Sequence, residues 1–209
     1  MVRASVAPNA LAGLKVVLDA AHGAGSHIAA PVLTDLGADV TVIGNEPDGR
    51  NINDGIGSTH PELLGQTVRE VGADLGVALD GDADRLVAVD GSGEVVDGDF
   101  VIAICAIDRK ERNALAGDTV VVTVMTNLGF RLAMAERGIN VAETAVGDRY
   151  VLESLEANGR NLGGEQSGHV IFRDIATTGD GLLSAVQLLD TVNRSGRPIA
   201  DLAASDGPA

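Results

Sequence analysis

The sequence has no tryptophan, one tyrosine and three phenylalanines. Its interior must therefore be assembled from Val, Ile, Leu and Ala, for which a hydrophobic content of 45% is ample. There is a single cysteine, Cys105, so no internal disulfide can form. It lies in the apolar run 100–107 and reads as a buried, inert thiol, in keeping with a reducing compartment. That run is the longest of its kind and falls well short of the ~20 residues needed to cross a bilayer. With no recognisable signal peptide either, the expected location is cytoplasmic. Basic residues are scarce, 15 against 30 acidic ones, for a net charge of −15. Such a balance argues against nucleic acid or an anionic membrane as partner. It leaves room for an anionic small molecule, because a bound cation beside arginine reverses the sign locally.

The most constraining stretch present is Asp80-Gly81-Asp82-Ala83-Asp84-Arg85. Alternate residues of an extended segment point to the same side, so Asp80, Asp82 and Asp84 are expected to converge. Three carboxylates so placed would repel and raise one another's pKa unless a hard divalent cation, Mg2+ or Ca2+, took their oxygens as ligands. The flanks, 74–79 and 86–89, read as short buried strands. An EF-hand needs helices there, with Gly at loop position six and Glu at position twelve. Here those positions hold Arg85 and Gly91, so that reading is excluded. Arg85 beside the cation favours a second, anionic ligand, with phosphate the natural candidate. An acidic, solvated turn between two strands is the alternative.

Around this loop strands and helices alternate. Strands are expected at 15–20 and 40–43, and a helix between them carries Ile28, Val32, Leu33 and Leu36, starting late or kinking at Pro31. Thr59 and Glu62 form a candidate capping box, with Pro61 in the first turn of a helix running to Val71. A further helix is expected over 99–112. A second cycle begins near Gly117: a strand over 119–124, a helix capped by Asn127, a strand over 139–142, a helix over 149–157, short strands at 161–164 and 170–172, and a helix over 181–192. The tail from Arg194 reads as poorly ordered. Two such cycles imply two consecutive α/β domains with mixed sheets flanked by helices, 1–111 and 112–209.

The second constellation is Gly163-Gly164-Glu165-Gln166-Ser167-Gly168-His169. Its glycines permit a tight loop, and alternation would set Glu165, Ser167 and His169 on one face. A carboxylate and a hydroxyl there suit sugar hydroxyls, and a histidine can donate to phosphate; a polar hairpin loop is the alternative. Gly147-Asp148-Arg149 opens a helix and is either an anion site or a cap, Asp148, followed by a solvated Arg149. His22 is best read as bonding local backbone in a turn, and His27 and His60 as helix-start residues.

The acidic loop resembles the metal-binding loop of the α-D-phosphohexomutase superfamily. Five further stretches resemble that superfamily in order: Pro47-Asp48-Gly49-Arg50-Asn51-Ile52-Asn53, Gly57-Ser58-Thr59-His60-Pro61-Glu62, Val146-Gly147-Asp148-Arg149-Tyr150-Val151, Gly164-Glu165-Gln166-Ser167-Gly168-His169 and Thr177-Thr178-Gly179-Asp180-Gly181. The resemblance spans most of residues 14–190. It implies the second and third of four domains, which share one α/β fold. It further implies that Asp80, Asp82 and Asp84 hold Mg2+, that Arg85 orients a phosphoryl group, and that Glu165 and Ser167 contact sugar hydroxyls, with His169, Gly147 and Arg149 as further substrate contacts. The implied substrate is a hexosamine phosphate, glucosamine 6-phosphate exchanging with glucosamine 1-phosphate through a bis-phosphorylated sugar and a phosphoserine enzyme.

Two signatures of the superfamily are missing. The phosphorylated serine belongs to a Ser-His-Asn-Pro stretch of the first domain, whereas Ser26-His27 is followed by Ile28-Ala29. The fourth domain's Arg-x-Ser-Gly-Thr is not matched by Arg194-Ser195-Gly196-Arg197. The resemblance thus implies a central portion that needs the missing first and fourth domains for activity. Other hexose phosphates of the superfamily are the alternative substrates. A Mg2+-dependent phosphatase with an Asp nucleophile wants Asp-x-Asp-Gly-Thr, whereas Ala83 and Asp84 follow Asp82. A non-catalytic metal-binding module is the remaining alternative.

Overall fold

A computed structural model describes residues 1–206. The first sheet is built on three parallel strands. β1 (Lys15–Asp19) lies between β2 (Asp39–Ile43) and β3 (Leu75–Leu79). β3 then turns sharply into antiparallel β4 (Leu86–Asp90), and β5 (Val95–Val96) closes the edge, giving the order β2-β1-β3-β4-β5. Every residue of β3 and β4 is buried, as expected of central strands covered on both faces.

The second sheet repeats the plan. β6 (Thr119–Thr123) pairs in parallel with β7 (Asn140–Thr144) and with β8 (Leu162–Gly164), and β8 turns back into antiparallel β9 (Val170–Phe172). In each sheet, therefore, the third strand and its antiparallel partner form a hairpin. The acidic loop is the turn of one hairpin and the Glu-Gln-Ser-Gly-His loop the turn of the other.

Helices cover and separate the sheets. α2 (Glu62–Val71) packs Leu64 and Val68 on the outer face of the first sheet, against Val17, Ala78 and Val89. α5 (Asp148–Ala157) does the same for the second, with Val151 and Leu155 against Val121 and Ile171. Between the sheets, α1 (Ala29–Asp35), α3 (Gly98–Glu111), α4 (Leu128–Glu136), α6 (Gly181–Ser195) and α7 (Ile199–Asp206) share one continuous core. α6 is buried from Gly181 to Val192, which explains why its sequence is apolar nearly all round. Cys105 is enclosed on α3, 2% exposed, and burial pushes its thiol up to about 12, so it is inert as expected.

Several expectations are corrected. The tail from Arg194 is not loose: α6 runs to Ser195, and α7 packs Ile199 and Leu202 into the core; residues 207–209 lie outside the described residues. The capping box of Thr59 and Glu62 does not form, because α2 begins only at Glu62 and has no side-chain cap. Its would-be first turn is held elsewhere. The Gly57 N–H donates to Asp19 Oδ2 at 2.8 Å and the Ser58 N–H to the Leu79 carbonyl at 3.0 Å. We keep the division between 111 and 112 as a proposal; it falls at the end of α3, a helix that contacts β4 of the first sheet but also β8, α4, α6 and α7.

Asp19 is the structural pivot of the first sheet's loop edge. Fully buried, it accepts the Ala21 N–H through Oδ1 and the Gly57 N–H through Oδ2, both at 2.8 Å. Burial outweighs these bonds and raises its pKa. The folded state therefore holds the Asp19 proton more tightly than the unfolded chain, whose value is about 3.9. The stabilising share of this group is full below that value and is lost as pH rises through the folded one. Asp19→Ala, which strands two buried N–H groups, should cost about 2–4 kcal/mol in urea unfolding at pH 7. Asp19→Asn should remove the Asp19 share of the pH dependence, the loss of stability as pH rises above about 4; an unchanged pH slope would refute the assignment.

Candidate active-site loops

The acidic loop is a tight turn, not the extended segment its alternating carboxylates suggested. The Ala83 N–H donates to the Asp80 carbonyl at 3.0 Å, and Ala83 sits in the left-handed region with φ of 60°. The turn keeps the Asp80 and Asp84 carboxyls side by side. Half-buried Asp80 accepts the Asp84 and Arg85 amides through Oδ1, at 3.1 and 3.2 Å. Burial first, and then the adjoining Asp84 carboxyl, raise the pKa of Asp80. Asp82 is exposed. Among the described residues no three carboxyl, imidazole or thiol groups are gathered at ligand spacing. The residues nonetheless fit Mg2+: all donors are hard oxygens, the Asp80–Asp84 pair carries a charge conflict that a cation relieves, and this ion is commonly held by one or two carboxylates with water and phosphate.

The loop is wedged between backbones. The Ala24 N–H donates to the Gly81 carbonyl at 2.8 Å, the Gly181 N–H to the Ala83 carbonyl at 2.9 Å, and the Leu86 N–H to the Gly168 carbonyl at 3.0 Å. Gly168 adopts φ of +92°, and a Cβ there would overlap the Leu86 carbonyl; a Cβ at Gly181 would overlap that of Arg85. Both positions demand glycine for close approach. Through Gly168 the turn of the second sheet's hairpin rests directly on the first residue of β4.

Glu165, Ser167 and His169 do not line one face as expected. The Gly147 N–H donates to Glu165 Oε1 at 2.9 Å, which ties the entry of α5 to this loop. Ser167 is exposed beside Arg85 in a cleft of about 430 Å3. His169 is 5% exposed, and its Nδ1 lies 3.2 Å from Asp84 Oδ2. His169 is thus a buried partner of Asp84, next to a Gly168 in the left-handed region. Arg149 is highly exposed and paired with Glu153 at 2.7 Å one turn on along α5, and Asp148 does not cap that helix, whose N-cap is Gly147 with no side-chain cap bond. His22 does bond backbone, but not that of its own turn: its Nδ1 accepts from the Glu46 N–H, 24 residues on, at 3.1 Å.

Sequence reasoning missed three cleft residues, Ser58, Thr59 and Asp97. Asp97 caps α3, its Oδ1 accepting from the Asp99 and Phe100 amides. A second cavity, about 380 Å3, opens on the other side of the acidic turn and is lined by Asp82, Asp84, Thr178 and Asp180.

Two family models match end to end: phosphoglucomutase/phosphomannomutase alpha/beta/alpha domain II over residues 2–93, and domain III over 97–207. The chain belongs to this family. The two matched spans are separated by residues 94–96, just ahead of α3. Among curated relatives, the phosphoglucosamine mutase of Leifsonia xyli is 58% identical over 94% of this chain and 43% of its own length. That of Bacillus subtilis is 55% identical over 92% and 43%. The chain thus spans less than half the length of the relatives it matches. A phosphoglucomutase/phosphomannomutase family protein from Burkholderia thailandensis superposes with a TM-score of 0.81 at 29% identity, covering 91% of this chain and 42% of that one. Aspergillus fumigatus N-acetylphosphoglucosamine mutase, solved with GlcNAc-6P and magnesium, shares the fold at 16% identity and a TM-score of 0.73, over 96% and 48%.

The backbone wedge makes a sharp prediction. Gly168→Ala should break the Leu86–Gly168 contact and cost about 3 kcal/mol by urea unfolding, with the His169 ring resonances displaced in NMR spectra. Gly159 also has positive φ but open space around its Cα, and Gly159→Ala should cost only about 1 kcal/mol. Equal losses would refute the close-contact account.

Proposed function

We propose that the two hairpin turns form the metal and sugar half of a mutase centre that interconverts glucosamine 6-phosphate and glucosamine 1-phosphate. The observation that carries this reading is the meeting of the turns, Asp84 against His169 and Arg85 beside Ser167. Asp80, Asp82 and Asp84 would hold Mg2+, which when bound neutralises charge building on a transferring phosphoryl group. Arg85 orients that phosphoryl group by its planar fork. Ser167 and Glu165 bind sugar hydroxyls, with Gly147 fixing the Glu165 carboxylate, while His169 holds Asp84 in place from behind.

The phosphoryl donor, a serine of a further domain, and a phosphate-binding fourth domain complete the centre in a protein of the relatives' length. Nucleic acid and anionic membranes are disfavoured as partners by the net charge of −15. Among the described residues no helix is long and apolar enough to cross a membrane. We place the protein in the cytoplasm with its sugar phosphate substrate.

Two measurements test the reading. The purified 209-residue chain should show no mutase turnover, whereas the protein extended to the relatives' full length should convert glucosamine 6-phosphate faster than glucose or mannose 6-phosphate. Calorimetry should find Mg2+ binding to the 209-residue chain weakened about tenfold or more by Asp84→Asn, since one half-buried charge at contact distance is worth roughly 1–4 kcal/mol. Turnover by the short chain, or Mg2+ affinity indifferent to Asp84, would refute it.

A further inference from the structure

The cleft between the hairpin turns carries charge of both signs. Arg85 stands on its wall, and Asp97 supplies the one carboxylate among the described residues that line it. The remaining polar lining is neutral: Ser58, Thr59, Gln166 and Ser167. At about 430 Å3 it is of the size that holds a small ligand. Asp97 is half-buried and only half committed. Its Oδ1 caps α3, while Oδ2 has a single long contact, 3.3 Å, from Nε2 of the exposed Gln166. The positive end of α3 is offset by that cap, and the buried carboxyl of Asp99 stands close enough for the charge of Asp97 to act on it.

We infer that Asp97 is the specificity residue of this cleft, its Oδ2 receiving the C2 ammonium of an amino sugar phosphate whose phosphate lies toward Arg85. The inference rests on the proposed mutase reading and deepens it. Glucosamine 6-phosphate is a zwitterion, a phosphate dianion and an ammonium on one ring, and the cleft offers one fixed charge for each. A neutral 2-hydroxyl takes no advantage of the carboxylate's charge, so Asp97 discriminates between sugars at this carbon. Ammonium displaces Gln166 from Oδ2 and gains a charge-assisted bond in its place.

The test is an NMR titration of the 209-residue chain, in Mg2+, with glucosamine 6-phosphate, glucose 6-phosphate and N-acetylglucosamine 6-phosphate. The expected result is about fivefold tighter binding of glucosamine 6-phosphate than of the two sugars uncharged at C2, the range of a partly exposed ion pair. Asp97→Asn keeps a good helix cap and should abolish that preference, with glucose 6-phosphate affinity held within about twofold. Asp97→Ser, also a capping residue, should give the same result and guards against an effect peculiar to Asn. A preference that survives both substitutions, or no preference in the unsubstituted chain, overturns the role of Asp97 alone. Failure of all three sugar phosphates to bind overturns the placement of the sugar in this cleft and this inference with it, whereas the mutase reading is decided by turnover of the protein at the relatives' full length.

Discussion

One backbone contact governs this molecule: the Leu86 N–H on the Gly168 carbonyl, with no room for a side chain between them. It joins the hairpin turn of one sheet to that of the other. Because the contact is made by main chain, its geometry is set by the strands that carry it and not by rotamers. The Gly181 N–H on the Ala83 carbonyl adds a second clasp and starts α6 against the same turn. Everything proposed for the site follows from this. Asp84 can meet His169, 85 residues away, and Arg85 can share a cleft with Ser167, only because the two turns are pressed together.

The acidic character of the chain is put to structural use at the same edge. Asp19, Asp97 and Asp180 each accept backbone amides that would otherwise be orphaned at strand or helix ends. Asp99 does so from α3, taking the Asn127 N–H at 2.9 Å and fixing the loop after β6. Burial raises both Asp19 and Asp99, so neither is a cheap surface charge; each holds a loop that the flanking strands alone would leave free. Asp80 belongs to the same class, its pKa raised first by burial and then by the adjoining Asp84 carboxyl, as that of Asp99 is by burial and by Asp97.

The repeated sheet plan explains why two loops of unrelated sequence act at one place. Each is the turn after the third strand of its sheet, where parallel pairing gives way to antiparallel. α3 and α6 fill the space between the sheets with aliphatic side chains, an interior without tryptophan and nearly without aromatics. Leu, Ile, Val and Ala, which carry no polar atoms and differ in size, fill a shared helical layer between two sheets by interdigitation.

The alternation of strand and helix, the mixed sheets and the hairpin turns were all legible in residue order, because periodicity and caps act over a few residues. Asn127 capped α4 as its type demands, and Cys105 was buried as its apolar neighbours required. The turn at Ala83, the inward ring of His169, the lost capping box at Thr59 and the helix formed by 199–206 were not legible. Each was decided by a partner far along the chain: Gly181 and Gly168 for the turn, Asp84 for the histidine, Asp19 and Leu79 for residues 57–58, and the shared core for the last helix. Local sequence names the groups that can do chemistry. Which of them share a cleft is set by long-range backbone contact, whose cost and benefit no short window of residues contains.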